Sequence, residues 1–301
     1  MVSQAGGVML VETVRSSGID RAMSVALEPW RKPLAVHDPA KVVLDLAVTL
    51  ALGGDCLADV AVLRAEPGVY GRVASDPTVS RTIDALAADA PRALAAINTA
   101  RAAARAHAWK CAGSDAPDAS TSADRPLIID LDATLVTSHS DKDGARPTFK
   151  RGYGFHPLCA FADHGVDGTG EALAILLRPG NAGSTTAVDH ITVIRDALRQ
   201  LPGNRPGLHP GRKVLIRTDS AGCTHDVLTY LAAQRLSYSV GFSLPGNTEA
   251  LLRLIPERVW APAYDGDGTV RDMGSPRVFW KGCGAVVRGS ERREARAGEV
   301  R

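Results

Sequence analysis

The chain has 301 residues, 45% of them hydrophobic, with 35 Lys and Arg against 33 Asp and Glu. That length supports a sizeable core and two domains, and the near-neutral balance gives no global field that points to a nucleic-acid partner, leaving a local basic face open. The five cysteines (Cys56, Cys111, Cys159, Cys223, Cys283) stand far apart without a C-x-x-C pair. This argues against a disulfide framework or a structural zinc and for a reducing, cytoplasmic setting. The N-terminus has no basic start and only the short apolar run VMLV, so no signal peptide is read. The most apolar stretch, VVLDLAVTLALGG, is interrupted by Asp45 and is too short to span a bilayer.

Residues 1–35 read as irregular. From 36 to 112 the chain is rich in Ala and Leu with helical spacing. DPAKVVLDLAVTLALGG opens with Asp38 as N-cap and Pro39 at the first helical position, and stops at Gly53-Gly54. CLADVAVLRAE reads as a second helix and SDPTVSRTIDALAADA as a third, with Ser75 or Asp76 as cap. PRALAAINTARAAARAHAWK reads as a fourth, carrying Arg92, Arg101, Arg105 and Lys110 and no acid. Such a helix can lie against DNA phosphates, or it is an ordinary solvated face. Thr78, Ser80 and Arg81 stand at the start of the third helix, where short polar side chains and an Arg can reach base edges or phosphates.

Residues 113–125, GSDAPDASTSADR, are small and polar and read as a linker. Strands and helices follow over 126–246. PLIIDLDATLV, GYGFHPLCAFAD and GEALAILLRPG read as a three-strand meander, TAVDHITVIRDALRQL as a helix with apolar positions Val188, Ile191, Ile194 and Leu198, RKVLIRTDSAG as a fourth strand, HDVLTYLAAQRL as a helix, and SYSVGFSL as a fifth strand. The expected class is therefore mixed α/β in the order β-β-β-α-β-α-β, the order of an RNase H-like core, preceded by an all-α helical domain. Residues 247–301 are rich in Gly, Pro and Arg and read as an irregular basic tail, with eight Lys and Arg against four acids from 271 onward.

Strand one ends in Asp130-x-Asp132 and strand four in Asp219, 87 residues beyond Asp132 (219 − 132). An ionised carboxylate at the end of a buried strand needs a partner. Residues i and i+2 of a strand share a face, so Asp130 and Asp132 both qualify, and Asp219 would join them if the two strands are neighbours. Carboxylates so placed can share Mg²⁺, a hard ion that takes one or two carboxylates plus water and phosphate oxygens. The bland reading is that Asp130 caps or pairs locally. Lys142, Arg146, Lys150 and Arg151 crowd the loop after strand one and can contact phosphates or simply solvate a hairpin. His139 and His156 read as ordinary surface or core residues, Asn181 as a turn residue, and Ser220 and Cys223 as capping and packing residues, since no His–acid partner is placed to activate them.

Five segments together resemble a DDE-type transposase of a bacterial insertion sequence: SDPTVSRTI, IDLDATLVTSHSDK, GYGFHPLCAF, LRPGNAGS and RTDSAG, in that order across about 36–245. The resemblance implies a helical DNA-binding domain and an RNase H-like catalytic core that cleaves transposon ends and transfers strands to target DNA, using Mg²⁺ or Mn²⁺. By that resemblance Asp132 and Asp219 fill the first two metal-binding places, with Asp130 assisting. It also implies double-stranded DNA as partner, a homodimer on paired DNA ends, and a nucleoid-associated cytoplasmic location without a membrane. The family's third acid, a glutamate within Tyr-x-x-Arg-x-x-x-Glu, has no match; Glu291, Glu294 and Glu299 lack its context. A C-terminally truncated copy is the expectation.

Two alternatives stand beside this. LIIDLDATLV also matches the first motif of haloacid dehalogenase-type phosphatases, with Asp130 as covalent nucleophile, Asp132 as general acid/base and GDGTVRD supplying a late acidic pair. Against it, no lysine lies between Asp219 and Gly266 to hold a phosphoryl group, and Pro262 makes a poor buried strand of WAPAY. The third reading is a DNA-binding remnant without catalysis.

Overall fold

The computed structural model describes residues 5–165, 168–203 and 210–243, together with Gly246, Ala250, Leu254 and strand 284–289. The chain forms two units, one of residues 1–115 with 200–203 and one of 116–199 with 204–301.

The first unit is helical: α1 (Ala5–Ser16), α2 (Ile19–Leu27), α3 (Pro39–Ala51), α4 (Ala61–Arg64), α5 (Pro67–Tyr70), α6 (Asp76–Ala87) and α7 (Ala90–Ala112). As expected, Asp38 caps α3, accepting from the Ala40 amide at 2.8 Å with Pro39 at the first position. The expectation that residues 1–35 are irregular is corrected by α1 and α2. Met23 and Leu27 of α2 lie one turn apart and pack on Ala40 and Ala100, while Leu10, Val11 and Val14 of α1 cover Val48, Leu63 and Tyr70. Isolated, α1 has little reason to be helical: it has two glycines and β-branched valines. Tertiary packing supplies the stability. Gly7 is part of that fit, since a Cβ there would stand 1.8 Å from the Tyr70 hydroxyl.

The second unit is built on a sheet of β1 (Leu127–Ala133), β5 (Leu158–Ala162), β6 (Glu171–Leu176), β7 (Val214–Thr218), β8 (Ser237–Ser243) and β9 (Gly284–Gly289), in spatial order β6-β5-β1-β7-β8-β9. The β5, β6 and β9 pairings are antiparallel; β1–β7 and β7–β8 are parallel. With helices α8 (Ala187–Arg199) and α9 (His225–Ala233) against it, this mixed sheet fits an RNase H-like domain. Strand β9 falls within the stretch expected to be an irregular tail and corrects that expectation for those six residues.

Three short strands, β2 (Val136–Thr137), β3 (Arg146–Pro147) and β4 (Tyr153–Phe155), form a second small sheet with β4 in the middle. The expected second strand is thus two, parted at His156-Pro157, where Pro cannot donate to a ladder. Gly154 is required in β4: its φ is 151°, and a Cβ would stand 2.0 Å from the Val136 carbonyl. In α8 the buried face comprises His190, Val193, Ile194, Ala197 and Leu198, whereas Val188 is exposed. His190 takes the core place because its Nδ1 finds the Thr186 carbonyl at 2.9 Å.

Candidate active site

Along β1, Leu127, Ile129 and Leu131 are buried on one face, which leaves Asp130 and Asp132 on the other. β7 repeats this with Val214, Ile216 and Thr218 buried and Arg217 outward. The parallel register pairs Asp130 with Arg217 and Leu131 with Thr218. That ladder ends at Leu131 and Thr218, so Asp132 and Asp219 are the next residue on each chain segment, at the C-terminal ends of neighbouring strands spaced about 4.8 Å apart.

Both carboxylates are exposed and each has one oxygen anchored locally: Asp132 Oδ1 accepts from the Ala133 amide at 2.8 Å, and Asp219 Oδ1 from the Ala221 amide at 2.9 Å. The second oxygen of each has no partner among the described residues. Two outward hard-oxygen donors on adjacent strand ends fit a divalent cation. The turn after Asp219, a single 3-10 turn over Ser220–Gly222, sits tightly on its surroundings. A Cβ at Gly222 would meet the Thr218 side chain at 2.5 Å, and one at Gly241 would come 3.1 Å from the Ser220 amide. The glycine of RTDSAG is therefore a packing requirement of the site.

Asp219 lines an open cleft with Ser184, Thr185, Ser220, Ala221, Cys223 and Phe242. The far wall, the loop over 179–186, is held by Arg178, which is 3% exposed. Its Nε donates to the His156 carbonyl at 2.9 Å, and its Nη1 reaches the Gly183 carbonyl at 3.1 Å and Asp189 Oδ2 at 3.2 Å. The His156 amide returns a bond to the Arg178 carbonyl at 3.0 Å, and its ring Nδ1 lies 3.3 Å from the Ala182 carbonyl. The two buried residues His156 and Arg178 thus fix the loop that carries Ser184 and Thr185. Cys159, opposite Asp132 in the β1–β5 ladder, has its thiol pKa raised by burial and by the Asp132 charge, against a lowering by Arg178.

Asp130 is placed differently from Asp132. Arg217 grips both of its oxygens, through Nε to Oδ1 and through Nη2 to Oδ2 at 2.6 Å, and the same Nη2 reaches Asp163 Oδ2 at 3.0 Å. The guanidinium pKa is raised, chiefly by the Asp130 hydrogen bond. Arg217 and Asp163 escaped the sequence reading; the available signal was that Arg217 is the one charged residue inside the apolar run VLIRT.

The residues expected to contact DNA are distributed as follows. In α6, Ser80 and Arg81 are exposed, and Thr78 Oγ1 accepts from Arg81 Nη2 at 3.1 Å. In α7, Arg101 is half-buried with Nη1 on Asn98 Oδ1 at 3.0 Å. Arg105 is 7% exposed and donates to Gln200 Oε1 at 2.7 Å, so its guanidinium faces the interior of the helical unit. Arg92 pairs with Asp89 and lies over the Trp30 ring, so the cations of α7 do not form one free stripe. Lys150 and Arg151 are exposed at the tip of the small sheet. A separate group, the exposed Asp55 and Cys56 with the half-buried Asp59, has ligand geometry, but Asp59 there accepts the amides of Cys56 and Asp55, which lower its pKa. The late acids Asp267 and Asp272, and Glu291, Glu294 and Glu299, lie outside the described residues.

The chain matches the family model described as Transposase DDE domain group 1 over residues 1–276. It belongs to that family of DDE transposases. A search of curated proteins found no match. DDE transposases act on DNA and generally use divalent metals, and membership makes the phosphatase alternative unfavoured. Arg217, holding both oxygens of Asp130, also makes that residue a poor covalent nucleophile. Among the described residues no helix is long and apolar enough to cross a membrane.

Proposed function

We propose that this chain cleaves DNA at transposon ends and transfers the freed strand to target DNA, working as a pair of copies on two ends at the nucleoid. The observation that supports this reading is the parallel β1–β7 register, whose last pair, Leu131 and Thr218, immediately precedes Asp132 and Asp219. These two residues would hold a divalent ion, Mg²⁺ or Mn²⁺. Such an ion supplies an activated water and charge stabilisation at a phosphodiester. Asp130 acts at one remove: by engaging Arg217 it fixes the spacing of the two strands and keeps a cation beside the acids. Ser184, Thr185 and Ser220 border the cleft with hydroxyls suited to phosphate oxygens. In the helical unit, Ser80, Arg81 and Thr78 are the residues assigned to duplex contact, and Lys150 and Arg151 to the backbone near the acids. Arg101 contributes at most through an exposed edge, and Arg105 is assigned to internal packing.

The test is nicking of supercoiled plasmid with Mg²⁺, with Mn²⁺ and with chelator. Metal-dependent nicking that disappears in Asp132→Asn and in Asp219→Asn supports the reading. Equal nicking by the variants overturns the site assignment. Plasmid retardation at low salt without nicking favours the non-catalytic DNA-binding remnant, and absence of retardation removes DNA as partner.

A further inference from the structure

The small sheet grows directly from the strand pair that carries Asp132, since β2 begins at Val136 and β4 runs through Phe155 into β5. Its tip is a closed, hydrogen-bonded turn. The Thr148 amide donates to the Gly152 carbonyl at 2.8 Å, the Arg151 amide to the Thr148 carbonyl at 3.0 Å, and the Gly152 amide to Thr148 Oγ1 at 3.1 Å. Arg151 takes a left-handed φ of 61° to make it. This turn presents Phe149, 69% exposed.

A single exposed apolar residue is ordinary. Phe149 differs in its setting. One side of its ring packs against the buried His156, at 5.4 Å between centroids and tilted by 53°. His156 is the residue tied to Arg178 and to the 179–186 loop. The tip therefore folds back alongside the cleft wall that bears Ser184 and Thr185. Its neighbours Arg146, Lys150 and Arg151 are exposed cations, and Lys150 Nζ lies 5.7 Å from the Phe149 centroid. A protein partner would be expected to meet an apolar patch. Here one flat ring stands among cations, the combination that recognises a base and its phosphates.

We propose that Phe149 is a stacking platform for an unpaired nucleobase of the DNA strand whose phosphate enters the Asp132/Asp219 cleft. Lys150, which rests over the ring in the free protein, swings to the flanking phosphate and leaves the ring face to the base. The proposal rests on the reading that the cleft takes DNA. It adds a requirement that reading does not contain: the strand must be unpaired beside the cleft.

The experiment uses the full chain with two oligonucleotides, a perfect duplex and the same duplex with one bulged 2-aminopurine. The wild type is expected to prefer the bulged form and to quench its fluorescence. Phe149→Ala should lower affinity for the bulged form about 10-fold and abolish quenching, leaving duplex affinity within about 2-fold. Phe149→Trp should restore both. If Phe149→Ala binds and quenches as the wild type does, the platform is overturned while DNA binding stands. Equal loss on both oligonucleotides also overturns it, because the ring would then serve only general affinity. If the wild type retards neither, the DNA reading falls and the platform with it.

Discussion

Arg217 stands directly across the β1–β7 ladder from Asp130 and holds both of its carboxylate oxygens. This pair separates two aspartates that the sequence presents as equivalent: Asp130 is committed to a cation, and Asp132 keeps one oxygen without a partner among the described residues. The difference is testable. Asp130→Asn should cost about 0.5–1 kcal/mol, because Arg217 is about half exposed and solvent screens the pair. It should leave Mn²⁺ binding largely intact. Chemical denaturation and Mn²⁺ titration of one sample check both halves.

Asp132→Asn and Asp219→Asn should behave in the opposite way. Each is expected to weaken Mn²⁺ binding and nicking by at least about 100-fold, the upper range for loss of a ligand's supporting partner. Stability should be unchanged or slightly raised, since each variant removes one of two like charges on neighbouring strand ends. Loss of binding together with a lowered melting temperature would point to a structural role instead.

Arg178 supports the cleft wall through three carbonyl or carboxylate partners, and its Nη2 is buried without one among the described residues. Lysine cannot reproduce that fork. Arg178→Lys should cost about 2–4 kcal/mol and speed amide exchange across 180–186 while the β1 and β7 amides stay protected. Uniform exchange changes across the whole unit would show global rather than local loosening.

Asp45 gives a pH dependence in the helical unit. It is 6% exposed on α3, paired with Lys41 on the preceding turn, and its Oδ2 has no partner among the described residues. Burial raises its pKa above the ordinary 3.8, more than Lys41 and His37 lower it. Below 3.8 both folded and unfolded chains are protonated, and the group is neutral to stability. As pH rises from there through the raised folded value, the unfolded chain ionises first and stability is lost. Asp45→Asn should flatten that fall in a melting-temperature series, with the variant gaining on the wild type as pH climbs. Parallel curves would show that Asp45 does not titrate differently on folding.

Much of the candidate site could be read locally. Alternating burial in LIIDLDA and VLIRT reveals both strands and puts the acids on the outward face, because side chains of a strand alternate between two faces. Asp38-Pro39 marks the start of α3 by capping chemistry alone. The order of strands and helices was enough for the fold class.

What the amino-acid order determined by itself was therefore the period of each element, its caps and the residue types at the strand ends. What only tertiary structure decided was which of those residues meet. Arg217 and Asp130 are 87 residues apart and pair through the parallel β1–β7 ladder. Arg105 looks like another cation of a basic helix, yet Gln200, 95 residues away, receives it in the interior. Helix α1 has weak intrinsic propensity and forms because Val48, Leu63 and Tyr70 offer it a surface. Local sequence fixes torsions and faces over a few residues; partners at long separation depend on topology, which supplies the neighbour that decides whether a charge is free, paired or buried.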